Sequence, residues 1–163
     1  MPENAASAQP VMESQLAEHR HLFPLRWADM DALRHVNNTV YFRAIEEARM
    51  QIFGPLRQLF EPGTGVVLAR AECDFIKPIS WPGNIEIVHR PQRIGRSSLD
   101  CAITVCREND PDTVYARSRA VVVLSHLESG TSRPWPAPLL AALKKQFAPA
   151  ADPVGQPSTA HQE

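Results

Sequence analysis

Five polar residues that can do chemistry stand close together between Trp27 and Tyr41: Asp29 and Asp31 two apart, then His35, then Asn37 and Asn38. A carboxylate in such a cluster can attack a carbonyl carbon or take a proton from water. It can equally be a turn carboxylate that accepts hydrogen bonds from its own backbone, as Asp commonly does in loops. Neutral imidazole both donates and accepts, so His35 can orient a neighbour or a ligand, or fix the local backbone. Asn37 and Asn38 divide between helix capping and site structure, because an Asn side-chain oxygen accepts from the free N–H groups of a first helical turn. Residue type alone leaves these readings open.

The elements that must hold the cluster can be read from periodicity. Residues 21–27 mix apolar and basic side chains around Pro24, which suits an edge or terminal strand. A polar loop over residues 28–37 follows. Val40, Tyr41, Ala44, Ile45, Ala48 and Ile52 then recur at helical spacing, with Arg43, Glu46, Glu47 and Arg49 on other faces, and Gly54-Pro55 ends the helix. Glu46, Glu47 and Arg49 read most simply as a solvated face with an ion pair between Glu46 and Arg49. Val67, Ala69, Ala71, Cys73 and Phe75 alternate with Leu68, Arg70, Glu72 and Asp74, predicting a strand with one face buried. Further strands carry Ile85, Ile87 and His89, then Leu99, Cys101, Ile103 and Val105, then residues 114–127. Turns at residues 80–83, 94–97 and 108–112 separate them, and residues 137–147 form a short closing helix. One strand, a long helix and four strands with tight connections predict an α+β domain, an antiparallel sheet with one helix packed on it.

Composition narrows the function classes. A chain of 163 residues fits one domain, assigned to residues 19–147, with polar tails at 1–18 and 148–163. Seventeen basic against 18 acidic residues leave a formal charge of -1, so no overall field favours nucleic acid or an anionic membrane. No apolar run is long enough to span a bilayer, and residues 1–15 lack the pattern of a secretion signal, so a cytoplasmic location is expected. Cys73, Cys101 and Cys106 form no CxxC pair and read as reduced, buried side chains. The histidines show no ligand spacing and no Gly-rich phosphate loop is present, so neither metal nor cofactor is expected.

The string Trp27-Ala28-Asp29-Met30-Asp31-Ala32-Leu33-Arg34-His35-Val36-Asn37-Asn38-Thr39-Val40-Tyr41-Phe42, with Glu46, Glu47 and Arg49 after it, resembles the signature of the 4-hydroxybenzoyl-CoA thioesterase-like hotdog family. That pattern is roughly D-x-D-x-x-G-H-V-N-N-x-x-Y followed by E-x-x-R. The resemblance extends over residues 22–143 and includes Arg93-Ile94-Gly95-Arg96-Ser97-Ser98. One position departs: Arg34 stands where the family commonly has Gly, which matters if the loop needs a positive φ there.

The resemblance implies a hotdog fold, a curved antiparallel sheet wrapped around one long helix, and hydrolysis of an acyl-CoA to a carboxylic acid and CoA. It makes Asp31 the nucleophile or general base and places an oxyanion donor at the backbone N–H near Asn38, with His35 beside them. Asp29 holds the loop by hydrogen bonds. A carboxylate on the helix, Glu46 or Glu47, is the alternative catalytic group. Asn37, Tyr41, Arg93, Arg96, Ser97 and Ser98 are the candidate substrate contacts, the last four because a Gly-containing turn offers N–H groups, hydroxyls and cations to the CoA phosphates. Tyr41 also lies on the buried stripe of the helix and reads as core, and the arginines can serve solubility alone. Partners expected from the resemblance are acyl-CoA and a second or further copy of the chain, as homodimer or homotetramer. Hydrolysis of acyl groups on acyl carrier protein, or binding without turnover, are the rival readings.

Overall fold

The computed structural model describes residues 17–148. Five strands form one antiparallel sheet: β1 (His19–Pro24), β2 (Thr64–Phe75), β3 (Asn84–Ile94), β4 (Ser98–Arg107) and β5 (Ala116–His126), in the order β1-β3-β4-β5-β2. One long helix, α1 (Asn38–Phe53), and a shorter one, α2 (Ala137–Gln146), complete the domain. This is the expected α+β hotdog architecture. The tails assigned to residues 1–18 and 148–163 lie mostly outside the described residues. Ala17 and Glu18, however, are tied in, the first donating its N–H to the Phe147 carbonyl at 2.6 Å and the second pairing with Arg20 and Arg90.

Helix α1 forms where the apolar spacing places it, and it buries Val40, Tyr41, Ala44, Ile45, Ala48, Ile52 and Phe53. Ala44 and Ala48 are fully buried; their small side chains let the helix backbone come close to the sheet. From the sheet, Ile85 and Ile87 of β3, Leu99 and Ile103 of β4 and Val122 and Leu124 of β5 meet this stripe in a single core. Burial of such side chains stabilises by about 1.5–3 kcal/mol each, which makes this contact the main source of stability.

Two elements differ from the sequence reading. Strand β1 covers His19–Pro24, and the chain beyond it turns through a 3-10 segment, Trp27–Asp29, so residues 25–27 are not strand. Strand β2 does not bury one face: Val67, Leu68 and Phe75 are 38%, 47% and 43% exposed. The reason is position. Among the described residues β2 is an outer strand paired only with β5, its register slips between Leu68 and Arg70, and a groove separates its Leu68 and Ala71 from α1. A period of two reports a pleat, not whether anything covers it.

Four polar residues are buried among the described residues, Asp29, His89, Ser118 and Ser125, and of these His89 has side-chain nitrogens without partners. His89 sits on the inner face of β3 opposite His19, is 2% exposed, and neither ring nitrogen has a hydrogen-bond partner among the described residues. Burial, with smaller contributions from His19, Arg49 and His21, pushes its pKa down to about 3. An unfolded imidazole titrates near 6.5. The unfolded chain therefore binds the extra proton throughout the interval between the two values, and stability must fall as pH drops through the upper one. The wild type is expected to lose about 2 kcal/mol between pH 7 and pH 5 that a His89→Leu variant does not lose. Urea unfolding of both proteins at the two pH values measures the difference, and parallel losses would show that His89 titrates freely in the fold.

Candidate active site

The loop between β1 and α1 is built around two carboxylates with different tasks. Asp29 is 5% exposed. One of its oxygens accepts the Arg26 N–H at 2.7 Å, the other pairs with the Arg43 guanidinium of α1, and its carbonyl accepts the Asn37 N–H at 2.9 Å. Burial would raise its pKa, but the Arg26 N–H and the Arg43 cation outweigh that and hold it below the ordinary carboxylate value. Arg43 in turn lies 5.4 Å over the Phe23 ring. Asp29 thus braces the loop against both neighbouring elements, as the sequence reading expects.

Asp31 lies in the tight turn that follows, less buried than Asp29. Its Oδ1 accepts the Leu33 N–H at 2.8 Å and the His35 N–H at 3.3 Å, while its own N–H donates to the His35 carbonyl at 2.8 Å. Among the described residues its Oδ2 has no partner. The turn-carboxylate reading and the chemical reading therefore both apply, one to each oxygen. The carboxylate is fixed in place by Oδ1, and Oδ2 is left to act. His35 is tied to Asp31 through its backbone, and its exposed ring makes no hydrogen bond to that carboxylate.

The turn also explains the unusual residue at position 34. Asp31 accepts the Arg34 N–H at 3.0 Å, the Met30–Val36 bridge closes the loop, and Arg34 has φ 62°. A three-residue hairpin loop of this kind ends on a left-handed residue, which is where Gly fits without a Cβ clash. Arg34 adopts the same backbone, helped by Ser80, whose hydroxyl donates to the Arg34 carbonyl at 2.9 Å. Arg34 thus takes a left-handed backbone that Gly would take without strain.

At the start of α1, Asn37 is the cap: its Oδ1 accepts the Thr39 N–H at 2.9 Å and the Thr39 hydroxyl at 2.7 Å. Val40 donates to the Asn37 carbonyl. The Asn38 N–H, first of the helix, has no acceptor among the described residues. It carries the positive end of the helix dipole and is free to meet a polarised oxygen. Tyr41, one turn on, is 2% exposed, packs edge-on to Phe75 and has its pKa raised to about 12 by burial. Its ring is a wall of the core.

From Thr39 a groove of about 450 Å³ runs along α1 toward β2 and β5, past Phe42, Glu46 and Arg49 on the helix side and Leu68 and Ser118 on the sheet side. Glu46 and Glu47 are exposed, as expected of a solvated face. Arg49 is not. Its side chain is only 14% exposed, and its sole ion pair among the described residues is the expected one with Glu46, at 3.8 Å.

The second set of candidate residues stands elsewhere. Pro24, just before the loop, pairs with Asn84 at one end of β3, whereas Arg93, Arg96, Ser97 and Ser98 surround the hairpin turn at its other end. An 11-residue strand spans about 36 Å. Within one chain, Asp31 and the basic turn are therefore not brought together. The turn itself is pinned by its backbone: Ser97 and Arg96 carbonyls accept the Leu124 and Trp135 N–H groups at 2.8 and 2.9 Å, which leaves the exposed Arg93 and Arg96 side chains directed at solvent.

Residues 25–143 match the thioesterase-like superfamily as a sequence family. The chain belongs to that superfamily. Among solved structures, the PA2801 protein of Pseudomonas aeruginosa is 32% identical and superposes with a TM-score of 0.71, covering 79% of this chain and 99% of that one. A candidate acyl-CoA thioesterase of Xanthomonas campestris, XC229, is 28% identical with a TM-score of 0.61 over 69% of this chain and 95% of that one. The uncharacterised YsmA protein of Bacillus subtilis is 27% identical over 112 residues, 68% of this chain and 75% of YsmA. With this membership the hotdog fold and the thioesterase class stand together, and thioester cleavage is the chemistry against which the loop must be read.

The loop geometry gives a direct test of the Arg34 conformation. A left-handed residue with a side chain is strained by roughly 1–2 kcal/mol relative to the right-handed form, whereas Gly is not. Arg34→Gly should accordingly be about 1 kcal/mol more stable than Arg34→Ala by denaturant unfolding, after allowing for the greater freedom of Gly in the unfolded chain. Equal stability would mean that the loop relaxes to another backbone when the arginine is removed.

Proposed function

We propose that the protein hydrolyses acyl-CoA thioesters to a carboxylate and CoA, with Asp31 as nucleophile or general base. The observation that carries this reading is the pairing, on one loop-to-helix connection, of a fixed carboxylate with an unengaged Oδ2 and a helix-terminal N–H without an acceptor. In the general-base course, Asp31 takes a proton from water as the water oxygen bonds to the thioester carbon. The carbonyl oxygen becomes negative and is met by the Asn38 N–H. The C–S bond then breaks, the sulfur leaves as thiolate, and the proton passes to it. In the nucleophilic course, Oδ2 bonds to the carbon first, CoA thiolate leaves, and water cleaves the resulting anhydride. In this reading His35, exposed beside the loop, and the Asn37 amide nitrogen that capping leaves unused would contact the substrate.

The basic turn enters this reading through a second copy of the chain. β2 is an outer strand with exposed Val67, Leu68 and Phe75, the kind of edge that proteins cover. It runs from Thr64, near the turn, to Phe75, near the Asp31 loop. Antiparallel pairing of two β2 edges about a twofold axis sets the Arg96 end of one subunit beside the Asp31 end of the other. Arg93, Arg96, Ser97 and Ser98 would then hold the phosphates of CoA whose thioester lies at the partner's loop. A homodimer is the smallest assembly that does this.

Two outcomes test the proposal. Asp31→Asn should lower turnover of acyl-CoA at least ~100-fold while leaving the fold and thioester binding in place, since the amide still accepts the turn hydrogen bonds. Near-normal turnover in that variant, with loss of activity in Glu46→Gln or Glu47→Gln, would move the catalytic carboxylate to the helix. Arg96→Ala should raise KM with kcat little changed, because a phosphate contact contributes equally to bound substrate and transition state. Mixing Arg96→Ala with Asp31→Asn subunits should regenerate a site with both residues intact, and no recovery on subunit exchange would place both residues of a site in one chain.

A further inference from the structure

The interior contains two polar groups that hotdog chemistry at Asp31 does not use. Arg49 points off α1 with a side chain 14% exposed and no hydrogen bond among the described residues, its nearest carboxylate being Glu46 at 3.8 Å. Burial drives its pKa down, with Glu46 opposing only in part. His89, buried in the core, has no hydrogen-bond partner for either ring nitrogen among the described residues. Buried donors and cations are nearly always matched, so an imidazole with neither nitrogen paired, beside a guanidinium held among the described residues by one long ion pair alone, leaves hydrogen-bonding capacity for a ligand. Both groups line the same small void of about 10 Å³, between α1 and the inner faces of β3, β4 and β5. That space is no larger than one water. Arg49 also lines the far part of the 450 Å³ groove that starts at Thr39. It therefore lines both the groove and the small void.

Resting on the acyl-CoA reading, we propose that this groove takes the acyl chain and that Arg49, backed by His89, receives an oxygen at the chain's far end. The preferred substrate class is then a medium-length acyl-CoA carrying a terminal carboxylate or hydroxyl. The guanidinium offers five donors in a fork that matches a carboxylate, and neutral imidazole can either donate to or accept from a hydroxyl. Glu46 does not cancel the cation, because its own side chain is 65% exposed and solvated. Arg43, the other cation on the groove, is committed to Asp29. Length follows from the helix. The contact with Glu46 puts the Arg49 guanidinium about one turn back toward the N-terminus, so it lies about 12 Å along the axis from Asn38. Allowing for a hydrogen bond at each end, that span suits an acyl group of about eight carbons.

The test compares octanoyl-CoA, 8-hydroxyoctanoyl-CoA and the mono-CoA thioester of octanedioic acid on the full chain. The carboxylate substrate is expected to exceed octanoyl-CoA in kcat/KM by at least about tenfold, with the hydroxyl substrate between them, since a site built for an oxygen discriminates against its absence. In Arg49→Met the ratio should collapse to within about threefold, and in Arg49→Lys the carboxylate should keep part of its advantage. A wild type that treats all three alike, or favours octanoyl-CoA, overturns the proposal whether or not the variants fold. Calorimetric binding of the same thioesters to Asp31→Asn separates this inference from the catalytic one. Preference in binding without wild-type hydrolysis sinks the catalytic reading alone, hydrolysis without preference sinks this one alone, and failure to bind any of the three overturns both.

Discussion

The carboxylate of Asp29 joins three pieces of chain that would otherwise move independently. Through the Arg26 N–H it holds the end of β1, through Arg43 it holds the second turn of α1, and through its carbonyl it positions the Asn37 cap. A buried, fully partnered carboxylate has few ways to relax, because each alternative leaves a charge or an N–H without a partner. The turn that carries Asp31 hangs from this junction and is steadied on its far side by Ile79 and Ser80, which bond to Val36 and Arg34. The reacting group itself is left comparatively open. Rigidity comes from its neighbours, which is how a site can be both accessible and fixed to within a fraction of an ångström.

The polar equipment of the domain is distributed along a single helix. Its first N–H faces the loop, its middle lies over the sheet through alanines, and its fourth turn carries an arginine inward beside a histidine of β3. The apolar stripe sets the depth at which the helix sits. Small residues at positions 44 and 48 bring the backbone down, and that closeness is what shelters the arginine at position 49 from water.

What the sequence could and could not convey divides along locality. The Asn37 cap, the helix stop at Gly54 and the Arg26 half of the Asp29 brace are legible because each depends on partners within a few residues, whereas the Arg43 half spans 14 residues and shows only in the fold. Arg34 was also readable as a departure, although only the backbone shows that it keeps the left-handed geometry. The exposure of β2 was not legible, since alternation is the same for a covered strand and an outer one. Nor was the separation of Asp31 from Arg96, which follows from β1 and the β3–β4 turn meeting opposite ends of β3. The inward lean of Arg49 was missed for a further reason: a long side chain at the border of a helical stripe can go to water or along the sheet, and helical spacing assigns it by Cα alone.

The strand order also dictates when the domain can be completed. Among the described residues β3, β4 and β5 pair with their sequence neighbours across short connections, whereas β2 pairs only with β5 and β1 only with β3. A chain emerging in order from a ribosome must carry β1, the loop, α1 and β2 without sheet partners until β3 to β5 have been synthesised. Closing those long contacts costs chain entropy that nearby hairpins avoid. The central meander is thus a template that assembles from local pairings. The helix and the Asp31 loop, though nearly first in the chain, find their sheet contacts largely in elements that come later in it.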